Sequence, residues 1–431
     1  MAQDTNPRFE TISVQAGHSP DPTTLSRGVP VYRTSSFTFK SAEHAANLFA
    51  LKEFGNIYSR LGNPTNDVLE ARVTALEGGA ASVSVASGAA AIFNTVITIA
   101  KAGDEIVSAS NLYGGTYTLF DAILPDLGIT TKFVDVLDPS AFEKAISPKT
   151  RLIYIETIGN PVLDLADVEA ISKIARKHKL PLVVDATFTT PYLLQTIALG
   201  ADIVINSLTK WLGGHGTAIG GIVTDAGTFD WSDPKFELFN KPDKNYHGLR
   251  WAMDLPPELR KIAFALRFRT VPLRNIGACL SPDNAWMFLQ GIETLHVRMP
   301  RHAENALAVA TFLKKHPKVA WVRYPGLEGD LSYALSKKIL RKGAGGMVVF
   351  GVKGGKPAGE RFIESLKLFS HLANVGDAKS LALHPASTSH SQLTEEQQKA
   401  SGLTADLVRL SIGIENIDDI IADLERGLGA V

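Results

Sequence analysis

The sequence predicts an α/β fold: a mostly parallel seven-stranded sheet with helices on both faces, followed by a smaller C-terminal α+β domain. Three observations carry this reading. Seven short apolar runs alternate with helical segments between residues 83 and 224. The runs are continuously apolar instead of alternating, as strands covered on both faces are. Strand–helix alternation over ~150 residues favours parallel strands joined by right-handed crossovers.

Taken in order, residues 1–60 have little periodicity and many Pro, Ser and Thr, and read as an extended arm with short helical pieces. NDVLEARVTALEGG then reads as a helix capped at Asn66 or Asp67 and closed by glycines. The candidate strands are Val83–Ala86, Glu105–Ala109, Thr131–Val134, Leu152–Glu156, Leu182–Asp185, Asp202–Asn206 and Gly221–Thr224. Helices are expected at Ala89–Ala100, Thr116–Leu124, Pro139–Ile146 and Asp167–His178. An aromatic, charged, proline-dotted stretch, WSDPKFELFNKPDKNYHGLRW, marks an insertion over about 228–275. Helices at His302–His316, Ala358–Leu366 and Ile417–Leu428, with strands at Val319–Tyr324 and Gly346–Val352, make up the last part. The expected division is an arm at 1–60, a sheet domain at 61–280 and an α+β domain at 281–431.

Composition narrows the function. A chain of 431 residues suggests two or three domains. Lys+Arg and Asp+Glu both number 44, so there is no basic excess to serve nucleic acid or an acidic membrane surface. MAQDTNPRFE lacks the basic-then-apolar pattern of a signal peptide. No apolar stretch approaches the ~20 residues of a membrane helix. Cys279 is the only cysteine, so no disulfide can form within the chain and a cytoplasmic location is expected.

In an open α/β sheet, ligands bind outside the carboxyl ends of the strands. Ser87-Gly88-Ala89 follows the first run and opens a helix, whose N-terminus attracts anions. Asp185 ends the fifth run. It either caps the next turn or faces a cationic ring nitrogen; a metal is disfavoured because no cluster with ligand spacing lies near it. Ser207, Thr209 and Lys210 follow the sixth run. Two hydroxyls suit a phosphate, and a lysine with a lowered pKa attacks carbonyls, although an exposed surface charge is the commoner fate of lysine. In YSRLGNPT, Tyr58 and Arg60 are two apart on an extended segment and share a face, as an anion clamp would require. Arg409 stands in the apolar strand LVRLSIGIE and needs a carboxylate, from the protein or from a substrate. Ser380 is uninformative by itself. A phosphate site, a strand-end acid, an amine and a carboxylate-binding arginine together describe one cofactor, pyridoxal 5'-phosphate (PLP).

YSRLGNPT, SGAAAI, NLYGGTY, ETIGNP, VVDATF, SLTKWLGGHG and the Arg409 strand occur in the order and spacing of the Cys/Met-metabolism family of fold-type I PLP enzymes. The chain resembles that family over nearly its whole length. YGGTYTLF and the YHGLRW insertion are most similar to the branch that replaces the γ-acetoxy group of O-acetylhomoserine with sulfide or a small thiol, in methionine biosynthesis. The cystathionine γ-synthase and methionine γ-lyase branches are the alternatives. Gly115 stands where methionine γ-lyases carry a cysteine, which argues against methionine degradation. The remote alternative is a non-catalytic binder of a phosphorylated metabolite.

The resemblance implies roles. Lys210 is the covalent anchor and proton shuttle, Asp185 the partner of the ring nitrogen, and Tyr113 the stacking residue. Ser87, Gly88, Ala89, Ser207 and Thr209 are expected at the phosphate, joined by Tyr58 and Arg60 from a neighbouring subunit. Asn160, Ser380 and Arg409 are expected at the substrate carboxylate. A homotetramer of two active dimers is implied. His215 reads as a structural hydrogen-bonding residue. Ala186 departs from the usual Asn after the strand-end Asp.

Overall fold

A computed structural model describes residues 7–388 and 403–431. Seven strands form one sheet: β1 Ala81–Val85, β2 Glu105–Ala109, β3 Thr130–Val134, β4 Thr150–Glu156, β5 Leu182–Asp185, β6 Ile203–Ser207 and β7 Gly221–Asp225. Their order is β1-β7-β6-β5-β4-β2-β3. Every expected strand is present within two residues of its expected ends. β7 alone runs against its neighbours, pairing antiparallel with both β1 and β6. The carboxyl ends of β1, β4, β5 and β6 therefore lie along one edge.

Strand interiors such as Val83, Ile153, Val184 and Ile205 are fully or almost fully buried, because helices cover both faces. The helix Pro64–Glu77 is capped one turn earlier than the sequence suggested. Asn63 accepts from the Thr65 N–H at 3.0 Å, Pro64 occupies the first position, where its missing N–H costs nothing, and Gly78 closes the helix at φ +72°. The expected helix Thr116–Leu124 begins earlier, at Gly114, and contains a π-helical turn, Leu119–Ile123.

The stretch expected to be an insertion is part of the core. Trp231, Phe236, Phe239, Trp251 and Phe264 are buried beside sheet residues, and Trp231 stacks on Phe239 with centroids 4.2 Å apart. Its aromatic content marks burial, which the dense charges around it masked.

A second sheet of β8 Val319–Arg323, β9 Met347–Val352, β10 Ser370–His371, β11 Leu381–Leu383 and β12 Leu407–Ser411 has the order β10-β11-β12-β9-β8. The long helix Leu295–Lys315 and the terminal helix Ile417–Gly429 pack against it. β12 pairs antiparallel with β9 and β11, which fixes the direction in which Arg409 leaves the sheet.

Candidate active site

A cleft of about 580 Å³ opens where the carboxyl ends of β1, β4, β5 and β6 meet the loop before β11 and the strand β12. It is lined by Ser87, Gly88, Ala89, Tyr113 and Asn160, and by Asp185, Ser207, Thr209, Lys210 and Arg409. The sequence placed all of these in one site.

Lys210 sits in an irregular turn, Leu208–Leu212, directly after β6. Arg298 holds that turn from behind, donating to the carbonyls of Trp211 at 3.0 Å and Leu212 at 3.2 Å. Gly376, at φ +80°, packs on its other side, and a Cβ there would lie 2.6 Å from the Trp211 nitrogen. The Nζ of Lys210 donates to Asn374 Oδ1 at 2.5 Å. Burial, and then the charge of Arg409, push the amine down to about 8. A surface lysine would not be shifted in this way.

Asp185 ends β5. Its Oδ1 accepts from the Thr187 N–H at 2.9 Å, and Tyr154 OH lies 3.5 Å from Oδ2. Burial raises its pKa, and among the described residues no cation pairs with it. It therefore does cap the next turn, and still has capacity for a cationic partner. Ala186, behind it, is fully buried and donates to Ile205 O at 2.8 Å, so the departure from Asn leaves the strand end intact.

Ser87 caps the helix Gly88–Ile99, accepting from Ala90 N–H at 3.0 Å, while the first N–H groups of that helix lie at the cleft. Gly221 faces the same turn. Any Cβ on it would strike the Ser87 carbonyl, so β7 approaches β1 and β6 closely only because a glycine stands there. Thr209 differs from expectation in detail: its hydroxyl donates to Gly220 O at 3.2 Å and accepts from Gly220 N–H at 3.0 Å.

Arg409 is half-buried at the cleft, and burial pushes its guanidinium down to about 10. It donates to Asn160 Oδ1 at 3.1 Å, and among the described residues no carboxylate pairs with it. A buried guanidinium without an anion is costly, and a ligand carboxylate removes the cost.

Three expected residues lie elsewhere. Ser380 is fully buried and outside the cleft; its hydroxyl donates to Glu415 Oε2 at 3.0 Å and accepts from Gly413 N–H at 2.9 Å. Both of those bonds are internal and hold the hydroxyl away from the cleft. Asn374, six positions earlier, lines the cleft instead. Tyr58 and Arg60 are stacked on each other, with the guanidinium 5.4 Å from the ring centroid, and do not line this chain's cleft. Tyr58 is 42% exposed. His215 lies outside the cleft, with Nδ1 2.7 Å from Gly213 O.

The sequence reading also passed over Glu156. It stands in the quoted ETIGNP motif at the end of β4, beside Asp185 in register, and lines the cleft. The strand-end rule that found Asp185 would have found it. Asn374 sits on a loop and carried no such signal.

The donor set fits PLP. A half-buried acid with no cation beside it among the described residues suits a protonated ring nitrogen. A helix N-terminus beside Ser207 suits a phosphate, and an amine at about 8 suits an aldehyde. Among the described residues no group of three His, Cys, Asp or Glu could hold a metal ion, and no helix is long and apolar enough to cross a membrane.

Comparison with known proteins agrees. The family model described as Cys/Met metabolism PLP-dependent enzyme matches residues 10–429. The chain is 54% identical to the O-acetyl-L-homoserine sulfhydrylase of Leptospira meyeri, over 97% of this chain and 96% of the relative. It is 49% identical to the homocysteine synthase of Schizosaccharomyces pombe, over 97% and 98%. A Campylobacter jejuni crystal structure, described as an O-acetylhomoserine (thiol)-lyase with N'-pyridoxyl-lysine-5'-monophosphate, superposes with a TM-score of 0.93 at 41% identity, covering 98% of this chain and 99% of that one.

Proposed function

This chain belongs to the Cys/Met metabolism family of PLP-dependent enzymes, and from that premise we propose that it converts O-acetyl-L-homoserine and sulfide, or a small thiol, to L-homocysteine or its thioether and acetate. The observation that carries the reading is the geometry of three groups in one cleft. A lysine at about 8 follows β6, a half-buried acid with no cation partner among the described residues ends β5, and a half-buried arginine with no carboxylate partner among them faces both from β12.

When bound, the cofactor supplies an electron-withdrawing ring and a carbonyl carbon that takes an amine. The chain's own residues do the rest. Arg409 and Asn160 hold the α-carboxylate and so fix the Cα–H bond relative to Lys210. The Lys210 amine would take the Cα proton, because its lowered pKa keeps a useful fraction neutral near pH 8. A second proton leaves Cβ, acetate leaves Cγ with its bonding electrons, and hydrosulfide forms the new C–S bond there. Protons then return to Cβ and Cα, and homocysteine departs. Tyr113, exposed and lining the cleft, would stack on the ring of a bound cofactor and share the proton work. Asp185 keeps the ring nitrogen protonated. The wall of Ile92, Phe93, Leu119, Ile123 and Ile158 offers no further cation, which suits a neutral acetyl group and a small sulfur nucleophile.

Tyr58 and Arg60 reach the phosphate of a neighbouring subunit in this reading. Their exposure outside their own cleft supports it, and the assembly is a tetramer of two active dimers. Residues 1–60 form the arm that carries the pair, 61–280 the cofactor domain and 281–431 the domain bearing Arg409. The enzyme works in the cytoplasm.

The test is product analysis of the PLP-loaded enzyme with O-acetylhomoserine plus sulfide, cysteine or methanethiol, and with methionine alone. Homocysteine and acetate are expected to dominate with sulfide. Dominant cystathionine, or ketobutyrate and ammonia, would transfer the chain to a different branch. A Lys210→Ala protein that still turned over substrate would overturn the assignment of Lys210.

A further inference from the structure

Glu156 is the one buried acid of the cleft to which the functional reading gives no task. It is 7% exposed, ends β4, and is the register partner of Asp185 on β5. Two carboxylates side by side at a strand edge repel, and among the described residues no cation pairs with either. Glu156 faces two backbone groups. The N–H of Tyr113 donates to its Oε1 at 2.8 Å, and the N–H of Asn160 is turned to the same carboxyl and favours its charged form. Tyr113 carries one of the cleft's aromatic rings and precedes the helix Gly114–Thr118, and Asn160 holds Arg409 at 3.1 Å.

We propose that Glu156 is a positioning residue that ties the ring of Tyr113 to the carboxylate clamp of Asn160 and Arg409, so that one buried side chain sets the distance between the cofactor stack and the substrate carboxylate. The inference rests on the functional reading given above and deepens it. The two N–H donors come from loops that are 47 residues apart in sequence (160 − 113) and have no strand pairing with each other. Asn111 packs directly against Gly159, and Glu156 adds a buried polar tie between the two loops. Burial and then Asp185 push its carboxyl well above the usual range. In either protonation state it keeps an oxygen that accepts from these N–H groups.

The test compares Glu156→Gln with Glu156→Ala in the PLP-loaded enzyme. Three quantities are read: the visible circular dichroism of the cofactor, the KM for O-acetylhomoserine and kcat. Glu156→Ala is expected to change the dichroism and to raise KM about tenfold or more, since a misplacement of ~1 Å is costly in an oriented site. Glu156→Gln keeps an acceptor oxygen and is expected to recover most of both. Glu156→Asp withdraws the oxygens by one methylene but keeps the acid. It should resemble Glu156→Ala, and it carries the test if Glu156→Ala does not fold. Unchanged dichroism and KM in Glu156→Ala and Glu156→Asp would overturn the proposal. So would a Glu156→Gln as impaired as Glu156→Ala, because then the acid itself, and not its bonds to the two loops, would matter. If wild type fails to turn over O-acetylhomoserine with sulfide, the functional reading falls, while the dichroism still decides the role of Glu156.

Discussion

The amine of Lys210 donates to Asn374 Oδ1 at 2.5 Å, joining the end of β6 to a loop 164 residues further along the chain. That bond aims the amine into the cleft before any cofactor arrives. Burial and Arg409 together lower its pKa to about 8 from the ordinary 10.5, so above pH 8 the amine is mostly neutral and nucleophilic. In the cofactor-free enzyme, amine acylation at Lys210, followed by peptide mapping, should reach half its maximum near pH 8. Arg409→Gln removes the second cause and should move the midpoint upward, while loading with PLP should abolish the labelling. A midpoint near pH 10 in wild type would contradict this account of the amine.

Arg409 makes its one side-chain hydrogen bond, among the described residues, to the neutral Asn160. Its charge is left for a ligand. Arg409→Gln should raise the KM for O-acetylhomoserine by roughly 30-fold or more, as expected where one partner of a desolvated charge pair is lost, about 2–5 kcal/mol. Arg409→Lys keeps the charge but loses the planar fork, and should fall between the two. Cofactor affinity should change little. Steady-state kinetics with a parallel cofactor titration separates these effects, and an unchanged KM in Arg409→Gln would rule out the carboxylate role.

Asp185 tests the electron sink. Asp185→Asn is nearly isosteric and keeps an acceptor for the Thr187 N–H, which holds it at 2.9 Å in wild type. It cannot hold a proton on the ring nitrogen by charge. kcat should fall by about 10²–10⁴, the usual scale for a proton-transfer group, with the protein still binding PLP. A kcat within tenfold of wild type would show that the ring nitrogen needs no anion.

Much of this architecture was legible because apolar runs and strand ends obey simple rules. Asp185 and Lys210 sit at the ends of buried strands, where periodicity locates them and burial gives them their chemistry. The cap at Asn63 was missed in favour of Asn66 because Asn63-Pro64 reads as a turn as easily as a helix start. Ser380 and Asn374 show where pattern stops. Both stand in one loop, and only the packing of Gly376 against the Lys210 turn decides which of them faces the cleft. Glu156 was legible and overlooked. The aromatic insertion failed differently, since Trp231 and Phe239 are buried by long-range packing that composition cannot reveal.

Tyr58 and Arg60 supply a test of sharing. Arg269 Nη1 donates to Leu61 O at 2.6 Å and also pairs with Glu70, fixing the loop that presents the two side chains. Arg60→Ala and Lys210→Ala should each be nearly inactive alone. Co-expressed, they should regain roughly a quarter of wild-type activity, because half of randomly paired dimers contain one intact site of two. No recovery in verified hybrids would place Arg60 in the cleft of its own chain, or in none.

Glu77 sets a pH limit on stability. It is fully buried, and burial pushes its carboxyl up to about 8. Asn206 Nδ2 donates to its Oε1 at 2.7 Å, while Glu77 Oε2 and Asn206 Oδ1 have no partner among the described residues. A single proton on Oε2 would serve the Asn206 oxygen and close a paired acid–amide contact. The folded pKa is raised, so the stabilisation is complete below the unfolded value near 4.5 and is lost as pH rises through about 8. The slope in that window is at most about 1.4 kcal/mol per pH unit. Asp202 and Asp225, raised to about 6 and about 7 by burial, add slopes of the same sign, so the informative quantity is the difference between wild type and Glu77→Gln. Glutamine offers the same donor and acceptor without titrating. Denaturant unfolding from pH 5 to 9 should find the two proteins similar at pH 5 and the variant progressively more stable towards pH 9. Parallel curves would mean that Glu77 stays charged in the fold and that Asn206 is held by something else.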